Sequence, residues 1–360
     1  VNLPQNTIRV AVIQAAPVFL DPQAGIEKAR RLIMQAASKG VSLIAFSECW
    51  LPGFPIHAFS GMETAGWMDL AGEYLDHGID IPGAETDALC EIARQFSVDI
   101  VMGVAERDPI TRGSLYSTQL VINADGEIAG RHRKLRPAFN ERSVFADGDG
   151  GGLLVFERDY GAISALASVE HQMVLPTYAL AQQGTQFHVA SWPGGEISGL
   201  ATTSRQHLLS RAFAAQASAY VLCAGGILAP EDVPERYRHF LREGLSGDSA
   251  IIDPRGEICA GPVTGETILY ANCSIALIRT AKVAFDCAGH SGRNDQLEFR
   301  NHTLPDDEEG QTQPPGDPSQ ENMPFEDDSR NFEAGGMGEP HKPGGPSNQR
   351  FAGGSTGQLA

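Results

Sequence analysis

Apolar positions along this chain follow two rhythms. Residues 8–15, IRVAVIQA, run almost wholly apolar, as a strand buried on both faces does. Residues 21–40, DPQAGIEKARRLIMQAASKG, change period. Ile26, Ala29, Leu32, Ile33, Ala36 and Ala37 return on one helical stripe, with Asp21 placed to cap it and Gly40 to stop it. VSLIAFSE (41–48) resumes strand character and ends at Glu48, which completes a β-α-β opening. The alternation then recurs: helix 86–97 leads into strand 99–106, helix 171–184 into strand 185–194, and helix 202–218 into strand 219–226. Between these, 115–135 and 152–168 read as strand pairs turning at Ala124-Asp125-Gly126 and Asp159-Tyr160-Gly161. A hairpin over 249–261 and a strand over 267–275 close the pattern. Mixed sheets with helices on their outer faces, an α/β class, fit it best.

After about Asn301 the texture changes. Eighteen of the 56 residues from Pro305 to Ala360 are Gly or Pro and no period survives, so this segment cannot bury enough surface to offset its conformational entropy. The expectation is a globular domain over 1–304 and a disordered acidic tail over 305–360. Eleven acidic and three basic residues give the tail a charge of −8, so the first 304 residues carry −10 of the total −18. A chain of that sign repels nucleic acid and anionic lipid rather than binding them. It has no apolar run of roughly 18 residues and no basic-then-apolar leader, so the expected setting is the cytoplasm. The six cysteines, at 49, 90, 223, 259, 273 and 287, stand singly. Neither metal-site spacing nor disulfide density is present, and reduced, mostly buried thiols are expected.

Three polar stations stand out. In AFSECWLPGFP a carboxylate, Glu48, leaves an apolar strand and enters a Pro/Gly loop; an ionised Glu there either finds a partner or stays solvated in a capped loop. In GRHRKLRPAFNERSVFADGDG, period 2 puts His132, Lys134 and Arg136 on one face. Glu141 and Arg142 follow, and the loop ADGDGGG is flexible enough to approach a substrate closely. A charge run of this kind also reads as a solvated face. In SALASVEHQMVLPTY an apolar run stops at Ser168, a placement that exposes a nucleophile at a strand-to-helix turn. Ser168 lacks the flanking glycines of G-x-S-x-G, and no Asp-His pair accompanies it, which speaks against a serine-hydrolase triad.

Together, FSECWLPGFP, GRHRKLRPAFNERSVFADGDG and SALASVEHQMVLPTYALAQQGTQFHVASWPG resemble the three catalytic regions of the nitrilase branch of the carbon-nitrogen hydrolase superfamily, over roughly residues 7–300. The resemblance implies a four-layer α-β-β-α sandwich that forms a homodimer or larger homo-oligomer. It also implies a Glu-Lys-Cys triad that hydrolyses nitriles with neither metal nor organic cofactor. Carried onto this chain, it makes Glu48 the general base, Lys134 the cation that stabilises the tetrahedral intermediate and Glu141 the auxiliary glutamate. Glu170 and His171 match the residues after the nucleophile. With Trp192 and Pro193 they are the expected substrate-binding residues, and the W-L-P-G-F-P and H-V-A-S-W-P-G segments favour nitriles over amides as substrates. His290, in DCAGHSGRNDQ, reads as structural or interfacial.

The departure is at the centre. Ser168-Val169 stand where the family has Cys-Trp, so the catalytic position carries a hydroxyl far less acidic than a thiol. Cys49 does not replace it, because neighbours on a strand face opposite ways. Two readings stay open. One is a nitrilase-like hydrolase of a small organic nitrile or amide, with Ser168 in the covalent role. The other is a nitrilase-fold protein that binds or assembles without turnover.

Overall fold

The computed structural model describes residues 6–194, 202–241, 243–292 and 296. In chain order it contains β1 (Thr7–Gln14), α1 (Pro22–Ala37), β2 (Leu43–Ala45), α2 (Trp67–Asp76), α3 (Ala84–Phe96), β3 (Asp99–Arg107), β4 (Leu115–Ile122) and β5 (Ile128–Arg133). There follow β6 (Ile163–Ala167), α4 (Val174–Gln182), β7 (Phe187–Trp192), α5 (Thr202–Ala217), β8 (Tyr220–Gly225), β9 (Ile227–Leu228) and β10 (Leu245–Ser246). The last elements are β11 (Ala250–Ile252), β12 (Ile258–Ala260), β13 (Thr267–Ser274) and α6 (Ile275–Ala284).

Of the two large sheets, both mixed, one has the order β13-β1-β2-β3-β4-β5 and the other β12-β11-β8-β7-β6, while β9 and β10 form a separate two-stranded pair. The two-residue period of the strands sorts their side chains into layers. Val10 and Val12 of β1 face inward and join Leu43, Ala45 and Val101 against Ile163, Phe187, Val189 and Leu222 of the second sheet. Ala11 and Ile13 face outward, onto Ile26, Ala29, Ile33 and Ala36 of α1 and Leu89, Ile92 and Ala93 of α3. On the far side, Leu166, Ala190, Val221 and Cys223 meet Leu180 of α4 and Phe213, Ala214 and Ala217 of α5. This is the expected α-β-β-α sandwich. Asp21 caps α1 through Oδ1, which accepts from the Ala24 N–H at 2.9 Å, and Gly40 takes a φ of 72° just beyond its end.

Several local expectations are corrected. The strand expected to run to Glu48 ends at Ala45, and β5 ends at Arg133, so Lys134 and Arg136 lie outside the pleat. The strand pair expected over 152–168 reduces to a single bridge, Phe156 to Ile163, ahead of β6. Helices α2 and α6 were not anticipated. The expected tail over 305–360 lies outside the described residues. No helix among the described residues is long and apolar enough to cross a membrane.

Candidate active site

Ser168 follows β6 directly and adopts φ 51°, a left-handed conformation that a non-glycine residue reaches only when its surroundings impose it. Glu170 is one source of that constraint. Fully buried, it accepts from the Ala167 N–H at 2.9 Å, from the Leu135 N–H at 2.7 Å and from His132 Nε2 at 3.0 Å to each oxygen. One carboxylate thus ties the end of β5 to the turn carrying Ser168. Burial opposes its ionisation, but His132 and the two N–H donors outweigh that, and its pKa lies below the ordinary 4.5.

His171 is the second source. Its Nδ1 donates to the Ser168 carbonyl at 2.7 Å, which leaves Nε2 as an acceptor, 2.9 Å from His188 Nε2. His188 must therefore donate through Nε2 and accept at Nδ1 from Ser164 Oγ, 2.7 Å away, which in turn accepts from Thr185 Oγ1 at 2.7 Å. Every tautomer in this chain follows from the one carbonyl at its end. Burial holds both imidazoles neutral, lowering His171 to about 4 and His188 well below 6.5.

Three charges gather beside this turn. Lys134 Nζ donates to Glu48 Oε1 at 2.9 Å and to Glu141 Oε2 at 2.7 Å, and Ser117 Oγ donates to Glu48 Oε1 at 2.8 Å. The other oxygen, Glu48 Oε2, is buried without a hydrogen-bond partner. Burial raises the Glu48 pKa to about 7, with the attraction of Lys134 pulling against it and Glu141 adding to it. Burial disfavours the Lys134 ammonium, but Glu141 and then Glu48 outweigh it and hold Lys134 charged, above its ordinary range. The site therefore holds one permanent cation and one carboxylate able to gain or lose a proton near neutrality.

Ser168, Glu141, Trp192 and Pro193 line a cavity of about 290 Å³, walled also by Phe54, Phe59, Phe139 and Val169. Glu48 and Lys134 stand behind Glu141, and the Glu48 N–H donates to the carbonyl of Trp192 at 3.4 Å. Of the residues expected to bind substrate, Trp192 and Pro193 reach the cavity, whereas Glu170 and His171 lie behind its wall, holding the Ser168 turn.

The basic run resolves into separate pairs. His132 meets Glu170, Arg133 meets Glu106 at 2.5 Å, and Arg136 meets Asp147 at the surface. The glycine loop does not approach the cavity. A Cβ on Gly148 or Gly152 would meet the carbonyl oxygens of Arg133 or Arg131 at 2.3 and 2.1 Å, so these glycines let the loop lie against β5. Cys49 and Glu48 both reach Ser117, contrary to the opposite-face expectation, because the chain has left its strand and Cys49 has φ 47°. Burial still pushes the Cys49 thiol well above 9.0, and it packs in an apolar cluster. His290 is exposed. Among the described residues no group of three His, Cys, Asp or Glu side chains is placed to hold a metal.

Comparison with known proteins places the site in a family. The carbon-nitrogen hydrolase family matches residues 9–283, and the chain belongs to that family. It is 47% identical over 298 residues to Nitrilase 2 of an unknown prokaryotic organism, covering 81% of this chain and 91% of that protein. It is 35% identical over 316 residues to an aliphatic nitrilase of Rhodococcus rhodochrous, covering 83% and 85%. Among solved structures, a branch 10 member of the nitrilase superfamily from Saccharomyces cerevisiae superposes with TM-score 0.65 at 21% identity, over 78% of this chain and 94% of that one. A carbon-nitrogen hydrolase from Helicobacter pylori G27 gives 0.64 at 19%, over 82% and 99%.

Proposed function

We infer that this protein hydrolyses small organic nitriles to the carboxylic acid and ammonia, with Ser168 as the attacking group. The observation that carries this reading is the buried Glu48–Lys134–Glu141 cluster beside the strained Ser168 turn, at the wall of a largely apolar cavity. Relatives named as nitrilases support the choice of substrate.

Ser168 Oγ adds to the nitrile carbon while its proton passes to Glu48, whose Oε2 is free to take it, and on to the nitrile nitrogen. The product is an imidate ester. Water adds with Glu48 as base, the C–N bond breaks, and ammonia leaves with the returned proton. A second water cleaves the resulting ester and Oγ regains its hydrogen, so two waters are consumed per nitrile. Lys134 stabilises the negative charge of each tetrahedral intermediate, and Glu141 holds its ammonium in place. The six free thiols fit a reducing compartment, so the enzyme is assigned to the cytoplasm. A homodimer or larger homo-oligomer is assigned on the family resemblance.

Ser168 and Val169 favour a second reading, in which the same cavity binds without turnover. Ammonia release from benzonitrile, phenylacetonitrile and aliphatic nitriles separates the two. Measurable release by the natural chain, rising about 10³-fold in Ser168→Cys, supports the hydrolase; a gain of that size corresponds to about 4 kcal/mol of barrier. Release only after the substitution supports binding without turnover on an intact catalytic frame. Silence from both proteins removes the hydrolase reading.

A further inference from the structure

We propose that the nitrile taken by this site carries an anionic group, and that Arg205 receives it. The proposal rests on the nitrile-hydrolase reading and names its substrate class. The inner cavity is adjoined by a more open one of about 410 Å³, and Ala138, Phe139, Val169 and Arg205 line both. Among the described residues the outer cavity is bordered by three arginines, Arg136, Arg142 and Arg205, and by no acidic side chain. Two of the three are engaged. Arg136 pairs with Asp147, and Arg142 Nε donates to the Pro137 carbonyl at 3.1 Å.

Among the described residues Arg205 has neither an ion-pair partner nor a side-chain hydrogen bond. It is half-buried and stands in the first turn of α5, which has no acidic residue. A cation at that end of a helix faces the positive end of the peptide dipoles, so an anion from outside the chain relieves it twice. Glu141, the acidic side chain of the inner cavity among the described residues, forms no ion pair with Arg205. Its Oε2 already accepts from Lys134 Nζ and from the Ala138 N–H at 2.9 Å.

The two cavities thus present opposite ends to a ligand. The reacting group and apolar walls lie inside, and an unpaired guanidinium marks the passage outward. A cyano group joined by a short apolar linker to a carboxylate matches that sequence of surroundings, with the planar guanidinium suited to a carboxylate. A protein of net charge −18 repels such an anion at long range, so a local arginine rim is what would admit it.

The test is equilibrium binding by calorimetry on the full chain carrying Ser168→Ala, so that turnover does not intrude. The probes are 3-cyanopropanoate, 4-cyanobutanoate and 5-cyanopentanoate, each against the dinitrile of equal length, with pentanoate as an acid lacking the cyano group. At least one cyano acid binds tenfold or more tighter than its dinitrile, and the ratio shrinks as salt is added. Arg205→Met brings that ratio to about one, and Arg205→Lys keeps part of it. Equal affinity for acid and dinitrile, or an equal loss of both in Arg205→Met, overturns the proposal. Pentanoate separates the two readings. If it binds through Arg205 while no nitrile binds, the arginine assignment stands and the nitrile reading falls; if no acid binds, the arginine assignment falls whatever the dinitriles do.

Discussion

Replacing Glu170 by glutamine keeps its shape and removes its charge, yet the geometry makes this a damaging change. Oε1 accepts from the Leu135 N–H and Oε2 from the Ala167 N–H, while His132 Nε2 lies 3.0 Å from both. Whichever way the amide is turned, its NH₂ points at a backbone N–H, so one buried donor loses its acceptor. That costs about 1–3 kcal/mol, and weakening the remaining charge-assisted bonds adds about 1 kcal/mol more. Glu170→Gln is therefore expected to lose roughly 3 kcal/mol in urea unfolding at pH 7, and Glu170→Ala, which strands all three donors, to lose more. The pH dependence provides a second check. A carboxylate held below its ordinary 4.5 contributes stability that is complete above that value and disappears as pH falls through the lower folded-state value. The gap between the natural chain and Glu170→Gln should accordingly narrow in acid. A loss below about 1 kcal/mol at pH 7, or a gap that widens in acid, would refute the account of Glu170 as the clasp between β5 and the Ser168 turn.

In the Ser168→Cys background, kcat/KM should rise with pH through about 7 as Glu48 loses its proton. Glu48→Gln should remove that limb and lower the rate about 10²–10⁴-fold, and a limb unchanged by the substitution would assign it to another group. Gly194 has φ 79°, and a Cβ there would sit 1.9 Å from the Gly226 carbonyl oxygen, so Gly194→Ala should cost about 2–5 kcal/mol by thermal or chemical unfolding. An unchanged melting temperature would contradict it. Thiol titration of the native chain should label exposed Cys259 first and leave buried Cys49, Cys223 and Cys273 untouched until unfolding. Rapid native labelling mapped to Cys49 would count against its burial.

How much of this was legible depended on whether the signal was local. β1 and α1 could be read because uninterrupted burial and a single helical stripe are written in consecutive residues, and Asp21 caps α1 as expected. Helix α2 buries only Trp67, Leu70 and Tyr74, and α6 buries only Ile278 while Val283 is 79% exposed. The stripe on α2, at i, i+3 and i+7, was there to be read and was passed over, whereas α6 packs through a single buried residue. Glu48, Lys134 and Glu141 stood out locally as polar residues near strand ends, but only resemblance grouped them and gave them roles, since nothing nearby in sequence links residues 86 positions apart. Ser117, Phe54, Phe59 and Arg205 were missed for the same reason: each belongs to an element that reaches the site only by tertiary folding. Glu170 and His171 were assigned to the ligand because they adjoin the nucleophile position. Whether a neighbour in sequence faces the cavity or supports its wall is decided by the turn at Ser168, whose φ the sequence pattern does not disclose.

The serine at this turn changes the proton balance of the site rather than its shape. With Glu48 at about 7, moving a proton from a thiol of ordinary pKa about 8.5 spans roughly 1.5 pK units, or about 2 kcal/mol. A hydroxyl about as weakly acidic as water, near 15.7, spans roughly 9 units, or about 12 kcal/mol. Full ionisation before attack is thus accessible to the thiol and not to the hydroxyl, so Ser168 can act only if proton transfer to Glu48 accompanies bond formation. That places the demand on Glu48 Oε2, the buried oxygen that Ser117 and Lys134 leave free. It follows that Glu48→Gln should abolish whatever activity the natural serine chain has, while a Ser168→Cys chain, whose nucleophile can ionise in part unaided, keeps a residue of its rate. Equal fractional losses in the two backgrounds would mean that the hydroxyl and the thiol are activated alike, and the concerted route for Ser168 would have to be abandoned.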